Sequence, residues 1–344
     1  MRYSNVSLYP FGYQLPPRVL TSDDIEKQLA SVYKRLKLPD GRLELMSGIR
    51  ERRFWDKNTL PSNAAAMAGQ KALIAAETDP DEIDCLIFTS VSRDMMEPAT
   101  ASFVHRYLNL PDRCLIFDIS NACLGFLNGM IVLSNMIELG QVKKGLIVAG
   151  ETAEELVETT LDHLVKDSSL TRKTIKSSFA SLTIGSGAVA MVMGDKRIHD
   201  TGHHLLGGVC RANTSKNDLC QGGKDGLQGT LMATNSEELL KQGVATAALT
   251  WNDFKNEMGQ DAERIDRYFC HQVGKAHAQL LFDSLNLDPQ KNFETLPFLG
   301  NVGSVSAPIT MAIGVEQKAI LPGQKGALLG IGSGINCLML GIQW

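Results

Sequence analysis

The sequence predicts an α/β fold built from two similar halves. Apolar patterns of helical and strand-like period alternate along the whole chain. A weak internal repeat runs through them. Ile184-Gly-Ser-Gly-Ala-Val-Ala-Met-Val-Met-Gly194 resembles Ile331-Gly-Ser-Gly-Ile-Asn-Cys-Leu-Met-Leu-Gly341 at an offset of 147. Glu82-Ile-Asp-Cys-Leu-Ile-Phe-Thr89 aligns with Arg264-Ile-Asp-Arg-Tyr-Phe-Cys-His271 at 182, and Leu108-Asn-Leu-Pro-Asp112 with Leu285-Asn-Leu-Asp-Pro289 at 177. The drop in offset places an insertion in the first half, at about residues 151–180. The halves are then residues 1–197 and 205–344, with the junction in the Gly/His-rich stretch Asp195 to Gly208.

Taken in order, Ser62 to Ala76 is an Ala-rich amphipathic helix and Glu82 to Thr89 a buried strand. Arg113 to Ser120 is strand-like, and the apolar run Leu124 to Leu139 is helical. Gly145 to Gly150 is a further strand. The insertion is helical from Ala153 to Val165 and then a polar loop to Ser178. Met191 and Met193 read as strand core, and His203-His204 as linker. Ser236 to Met258 forms a long helix, and Arg267 to His271 a short strand that ends in a histidine.

Composition narrows the function. The 344 residues suffice for two sizeable cores, and a net charge of −4 gives no general attraction to nucleic acid. No apolar run reaches the length of a membrane span. The N-terminal stretch lacks the features of a signal peptide. Seven cysteines without a CxxC pair argue against a disulfide framework or zinc ribbon and place the chain in a reducing cytoplasm. Ile184-Gly-Ser-Gly187 lacks GxGxxG spacing, so no dinucleotide loop is expected there.

Most cysteines are small core hydrophobes. Cys123 differs by position, because it falls where a strand gives way to a helix. A helix N-terminus offers unpaired N–H groups and a positive dipole, both of which favour a thiolate. His271 ends a strand on what the repeat makes the same sheet edge, and open α/β sheets bind ligands at the carboxyl ends of their strands. Asn301, in Leu299-Gly-Asn301-Val-Gly303, is placed by the repeat opposite Cys123; otherwise it is a plain turn residue. A thiolate with a histidine and an asparagine suits acyl transfer: the sulfur attacks, and the other two donate to a carbonyl oxygen.

These motifs together resemble the thiolase-superfamily condensing enzymes of the ketoacyl synthase III type. Gly48-Ile-Arg-Glu-Arg-Arg53 is similar to the family's N-terminal signature, and Gly330-Ile-Gly-Ser-Gly334 to the loop that gives a backbone oxyanion donor at Ser333. The resemblance implies a five-layered αβαβα sandwich, a homodimer, and a Cys123-His271-Asn301 triad with the Cys123 and Ser333 N–H groups as oxyanion hole. It implies no metal and no redox cofactor, coenzyme A or phosphopantetheine arriving with the substrate. Glu97 precedes Cys123 by 26 residues, which resembles the olefin-pathway subgroup of acyl-CoA condensing enzymes; there a glutamate loop reaches into the neighbouring subunit's site. A malonyl donor makes its carbanion by losing CO₂, whereas two plain acyl thioesters need a base at the α-carbon, and a carboxylate in an apolar site serves. Glu97 is otherwise a solvated loop charge or an N-cap partner. Arg50, Arg52 and Arg53 are candidates for coenzyme A or carrier-arm phosphates, or else surface charges, and Trp55 for the pantetheine entrance, or else packing.

The expected reaction is a Claisen condensation of acyl-CoA units through an acyl-Cys123 intermediate, with Glu97 as base. The rivals are a decarboxylating synthase fed by malonyl acyl carrier protein, an O-acyltransferase on the same scaffold, and a non-catalytic acyl-binding subunit.

Overall fold

The computed structural model describes residues 1–224 and 230–344. The strands are β1 Val6–Gln14, β2 Arg18–Thr21, β3 Glu51–Phe54, β4 Cys85–Phe88, β5 Leu115–Asp118, β6 Lys144–Glu151, β7 Gly187–Asp195, β8 His204–Ala212, β9 Cys220–Lys224, β10 Thr230–Thr234, β11 Arg267–Cys270, β12 Lys325–Gly332 and β13 Asn336–Gln343. The helices that build the layers are α1 Pro61–Ala75, α2 Thr100–Tyr107, α3 Gly125–Glu138, α4 Glu154–Lys166, α5 Ser236–Met258, α6 Lys275–Leu285 and α7 Ser306–Glu316.

One sheet runs β5-β4-β6-β7-β1 and continues through β8 into β13-β12-β11. Strand β7 is antiparallel to both neighbours, while β6, β4 and β5 are parallel. The second half repeats this: β13 is antiparallel to β12 and β8, and β11 is parallel to β12. The place of β5 is taken by Asn292, which bridges Tyr268 in parallel. The halves join at β1 and β8, where Ser7 faces His204. The repeat offsets pair β4 with β11 and β7 with β13, and the extra segment between β6 and β7 carries α4.

Helices α3 and α7 form the middle layer. Phe126, Met130, Leu133 and Ile137 of α3 pack with Ile309, Met311 and Ile313 of α7 and with strand residues of both halves, among them Ile147, Met191, Phe269 and Leu340. Helix α7 has no polar face, as a helix buried on all sides must not: Ser306 to Gly314 are all buried. Each large side chain removed from water there contributes about 1.5–3 kcal/mol. The outer layers are α1 and α2 on one half and α5 and α6 on the other. Five layers, αβαβα, result.

Met191 and Met193 are fully buried in β7. The strands at 85–88 and 115–118 are shorter than the apolar runs around them suggest. Pro80–Glu82 is instead a 3₁₀ turn, held by the Glu82 carboxylate accepting from the Asp79 N–H. His204 is not linker but opens β8 and pairs with Asp200, while His203 stacks on Trp344 with 4.2 Å between centroids. Among the described residues, no helix is long and apolar enough to cross a membrane.

Candidate active site

The carboxyl ends of β4, β5, β6, β11 and β12 open on one cavity of about 1490 Å³. Cys123, His271, Asn301 and Ser333 all line it, and so do Trp55 and Glu151. Chain reversals at the ends of parallel strands bring together residues as far apart as Trp55 and Ser333.

Cys123 stands two residues before α3, in a turn where Ala122 adopts a left-handed φ of 46°. The helix start is packed hard against β4. A Cβ on Gly125 would lie 2.1 Å from the Thr89 carbonyl oxygen, so only glycine fits. Ser304 locks this junction: its hydroxyl donates to the Thr89 carbonyl (2.7 Å) and accepts from the Phe126 N–H (2.9 Å). Asn121 accepts from the Asn336 amide at 2.9 Å, which ties the turn to β13.

Hydrogen bonding from the backbone of Cys123 itself and of Ser333 pulls the thiol down. This does not make it a thiolate, contrary to the helix-terminus expectation. Burial, followed by the charge of Glu151 and then Cys220, pushes the thiol up to about 12. Cys123 is half-buried, yet desolvation by the cavity walls outweighs the backbone hydrogen bonds and the helix N-terminus. His271 moves the other way: burial, with His277 nearby, pulls its imidazole down to about 4, and its Nδ1 has no partner among the described residues. The resting site therefore holds a neutral thiol and a neutral imidazole at neutral pH. Alkylation of Cys123 by iodoacetamide is expected to keep rising between pH 9 and about pH 12 in the free protein; a plateau reached by pH 8, followed by peptide mass mapping, would show a resting thiolate instead.

Asn301 follows Gly300, whose φ is +68°, and its backbone is held on both sides: its N–H donates to Thr183 (2.9 Å) and its carbonyl accepts from Gly185 (2.8 Å). Its side-chain oxygen accepts from the Gly303 N–H at 3.1 Å. That bond fixes the amide orientation and leaves the NH₂ as the group available to a ligand. Gln272, beside His271, is structural: its amide oxygen accepts from the Thr295 and Leu296 N–H groups and its NH₂ donates to Phe293.

Other expected residues fall elsewhere. Glu97 is exposed on the loop after β4 and does not line the cavity of its own chain, although Met95 and Met96 beside it do. Arg52 is corrected outright: it is 0% exposed, its guanidinium donates to Ser22 Oγ (3.0 Å) and the Leu20 carbonyl (3.3 Å), and it cannot meet a phosphate. Its burial, with no carboxylate beside it, pulls the group down to about 10. Arg53 is half-buried and donates to the Pro16 carbonyl, Arg50 faces solvent, and none of the three lines the cavity. Trp55 does line it, but as a buried wall whose indole N–H donates to the Glu151 carbonyl at 2.9 Å, not as an entrance residue.

Glu151 is the site residue that sequence reasoning missed. It ends β6, is 5% exposed, and burial raises its carboxyl. The signal was a charged residue closing the apolar run Gly145-Leu-Ile-Val-Ala-Gly150, the same pattern that marks His271. Among the described residues, no group of His, Cys, Asp and Glu could hold a metal ion.

The family model described as 3-Oxoacyl-[acyl-carrier-protein (ACP)] synthase III matches residues 117–214, and its C-terminal counterpart matches residues 256–344. The chain belongs to this synthase III family of condensing acyltransferases, whose fold is thiolase-like. Within it, the chain is 39% identical over its whole length, and all of the relative's, to an acyl-CoA:acyl-CoA alkyltransferase from Shewanella oneidensis. A protein of the same description from Xanthomonas campestris is 38% identical with full coverage of both. A β-ketoacyl-(acyl-carrier-protein) synthase III from Natranaerobius thermophilus is more distant, at 26% with 99% and 100% covered. The crystal structure of cerulenin-bound Xanthomonas OleA superposes with a TM-score of 0.95 at 38% identity, covering 100% of this chain and 98% of that one.

Proposed function

We propose that the protein joins two acyl-CoA molecules by a non-decarboxylative Claisen condensation in lipid biosynthesis. The observation that carries this is the convergence of Cys123, His271, Asn301 and Ser333 on one cavity. In the first half-reaction the Cys123 S–H proton passes to neutral His271 while the sulfur attacks the thioester carbon. The N–H groups of Cys123 and Ser333 hold the developing oxyanion. The C–S bond to coenzyme A breaks, and the departing thiolate takes the proton back.

In the second half-reaction Glu97 removes an α-proton from another acyl-CoA, and His271 and Asn301 donate to its enolate oxygen. The α-carbon attacks the acyl-Cys123 carbon, the C–S bond breaks, and the proton gained by Glu97 balances the one returned to the sulfur. The product is a β-ketoacyl-CoA, or a β-keto acid if water then cleaves the thioester. No metal or redox cofactor enters.

Support for Glu97 comes from interval and exposure. In Xanthomonas OleA, solved variants replace a glutamate that stands 26 residues before a replaced cysteine, the interval between Glu97 and Cys123 here. Glu97 sits beside Met96, which is 93% exposed, and a loop tip so apolar suits insertion into a second copy of the chain. The working form is then a homodimer in the cytoplasm, each Glu97 serving its neighbour's cavity.

Incubation with one acyl-CoA alone tests the reading. Release of coenzyme A with a β-keto product is expected. Condensation only after malonyl carrier protein is added would make it a decarboxylating synthase. Acyl transfer to an alcohol, or no adduct on Cys123 with any acyl-CoA, would replace it with the O-acyltransferase or the non-catalytic subunit.

A further inference from the structure

We propose that Glu151 is a positioning residue for the second half-reaction, clamping the start of the Glu97 loop to the turn that carries Asn301. Its Oε1 accepts from the Val91 N–H at 2.9 Å and from the Ser304 N–H at 3.1 Å, and its Oε2 accepts from the Ser92 N–H at 3.0 Å. Val91 and Ser92 begin the loop that ends at Glu97; Ser304 lies three residues after Asn301. The fit to the second segment is close: a Cβ on Gly303, whose φ is +55°, would stand 2.9 Å from Oε1. The N–H of Gly303 is the group that orients the Asn301 amide. One carboxylate thus holds the loop bearing the proposed base and the turn bearing an enolate donor.

Burial raises the Glu151 carboxyl, and the three N–H groups that converge on its two oxygens pull it back toward the carboxylate. No cation pairs with Glu151 among the described residues; the N–H groups of Val91, Ser92 and Ser304, with the Ser92 side chain, are what favour its charge. Glutamine can keep one oxygen on Val91 and Ser304 but turns an NH₂ toward the Ser92 N–H, donor against donor. Ser92 also braces the strand that Glu151 ends: its hydroxyl donates to the Thr152 carbonyl (3.3 Å) and accepts from the Thr152 N–H (3.2 Å). Glu151 acts on the sulfur of Cys123 as well, together with Cys220.

The inference rests on the condensation reading, and the experiment separates the two. Wild type, Glu151→Gln and the milder Ser92→Ala are compared in two assays: acyl loading of Cys123 followed by mass spectrometry, and formation of the β-keto product. In Glu151→Gln the ratio of condensation to loading is expected to fall about 10- to 100-fold, the loss that misplacement of about 1 Å brings. Ser92→Ala is expected to shift the same ratio in the same direction by less. The pH at which iodoacetamide alkylates Cys123 is also expected to fall in Glu151→Gln, a change that a merely structural role would not produce. An unchanged ratio of condensation to loading would overturn the clamp whatever the alkylation profile. Absence of β-keto product from wild type would overturn the condensation reading instead.

Discussion

Glu97→Ala is expected to load acyl groups on Cys123 at the wild-type rate and to lose condensation by about 10²- to 10⁴-fold, the usual range for a general base. On the proposed mechanism loading uses only groups that line the chain's own cavity, and Glu97 is not among them. The proposed dimer makes the prediction sharper. Cys123→Ala alone is inert. When it is refolded or co-expressed with Glu97→Ala, half of the dimers are mixed, and each mixed dimer holds one cavity with an intact Cys123 facing an intact Glu97 from its neighbour. Two inactive proteins should therefore recover about one quarter of wild-type condensation, as statistical pairing across a two-fold interface requires. If Glu97 served its own chain, no mixed dimer would contain a complete site and nothing would be recovered. Product yield in the mixture decides, with light scattering to establish that the chains are paired.

What could be read in the sequence follows how far each feature depends on distant contacts. The duplicated α/β frame was legible because strand and helix periods are local and because the repeat survives in Ile184–Gly194 and Ile331–Gly341. Cys123, His271 and Asn301 were legible because each ends a strand or opens a helix on one sheet edge, and topology does the rest. Arg52 misled because its neighbours in sequence, Arg50 and Arg53, are polar. Its fate is decided by Gly185 and Gly300, whose absent side chains let its Cβ pack at 3.2 and 3.4 Å from where theirs would stand. Glu151 escaped notice for the same kind of reason: its partners lie 60, 59 and 153 residues away. The charge state of Cys123 was misjudged because a helix N-terminus is visible in sequence, whereas the cavity that desolvates it is not.

His271→Ala is expected to differ from Glu97→Ala by impairing both half-reactions. Neutral imidazole is the proposed acceptor of the Cys123 proton, so acyl loading should fall by about 10²- to 10⁴-fold along with condensation. The pH profile identifies the cause. An ordinary histidine protonates near pH 6.5 and would stop accepting protons below it. Burial holds His271 neutral to about pH 4, so wild-type loading should not lose a protonated-histidine limb between pH 7 and pH 5. The same shift makes the fold acid-sensitive. Below pH 6.5 the unfolded chain gains a proton on this residue that the folded chain refuses until about pH 4. Stability linked to His271 is thus fully present above pH 6.5 and is lost as pH falls through that window. Replacing the residue by alanine removes that loss, so the variant, though catalytically poor, should hold its fold to lower pH than wild type in circular-dichroism titrations. A loading rate in wild type that drops with an apparent pKa near 6.5, or identical acid unfolding of the two proteins, would show that His271 is not held neutral by the cavity.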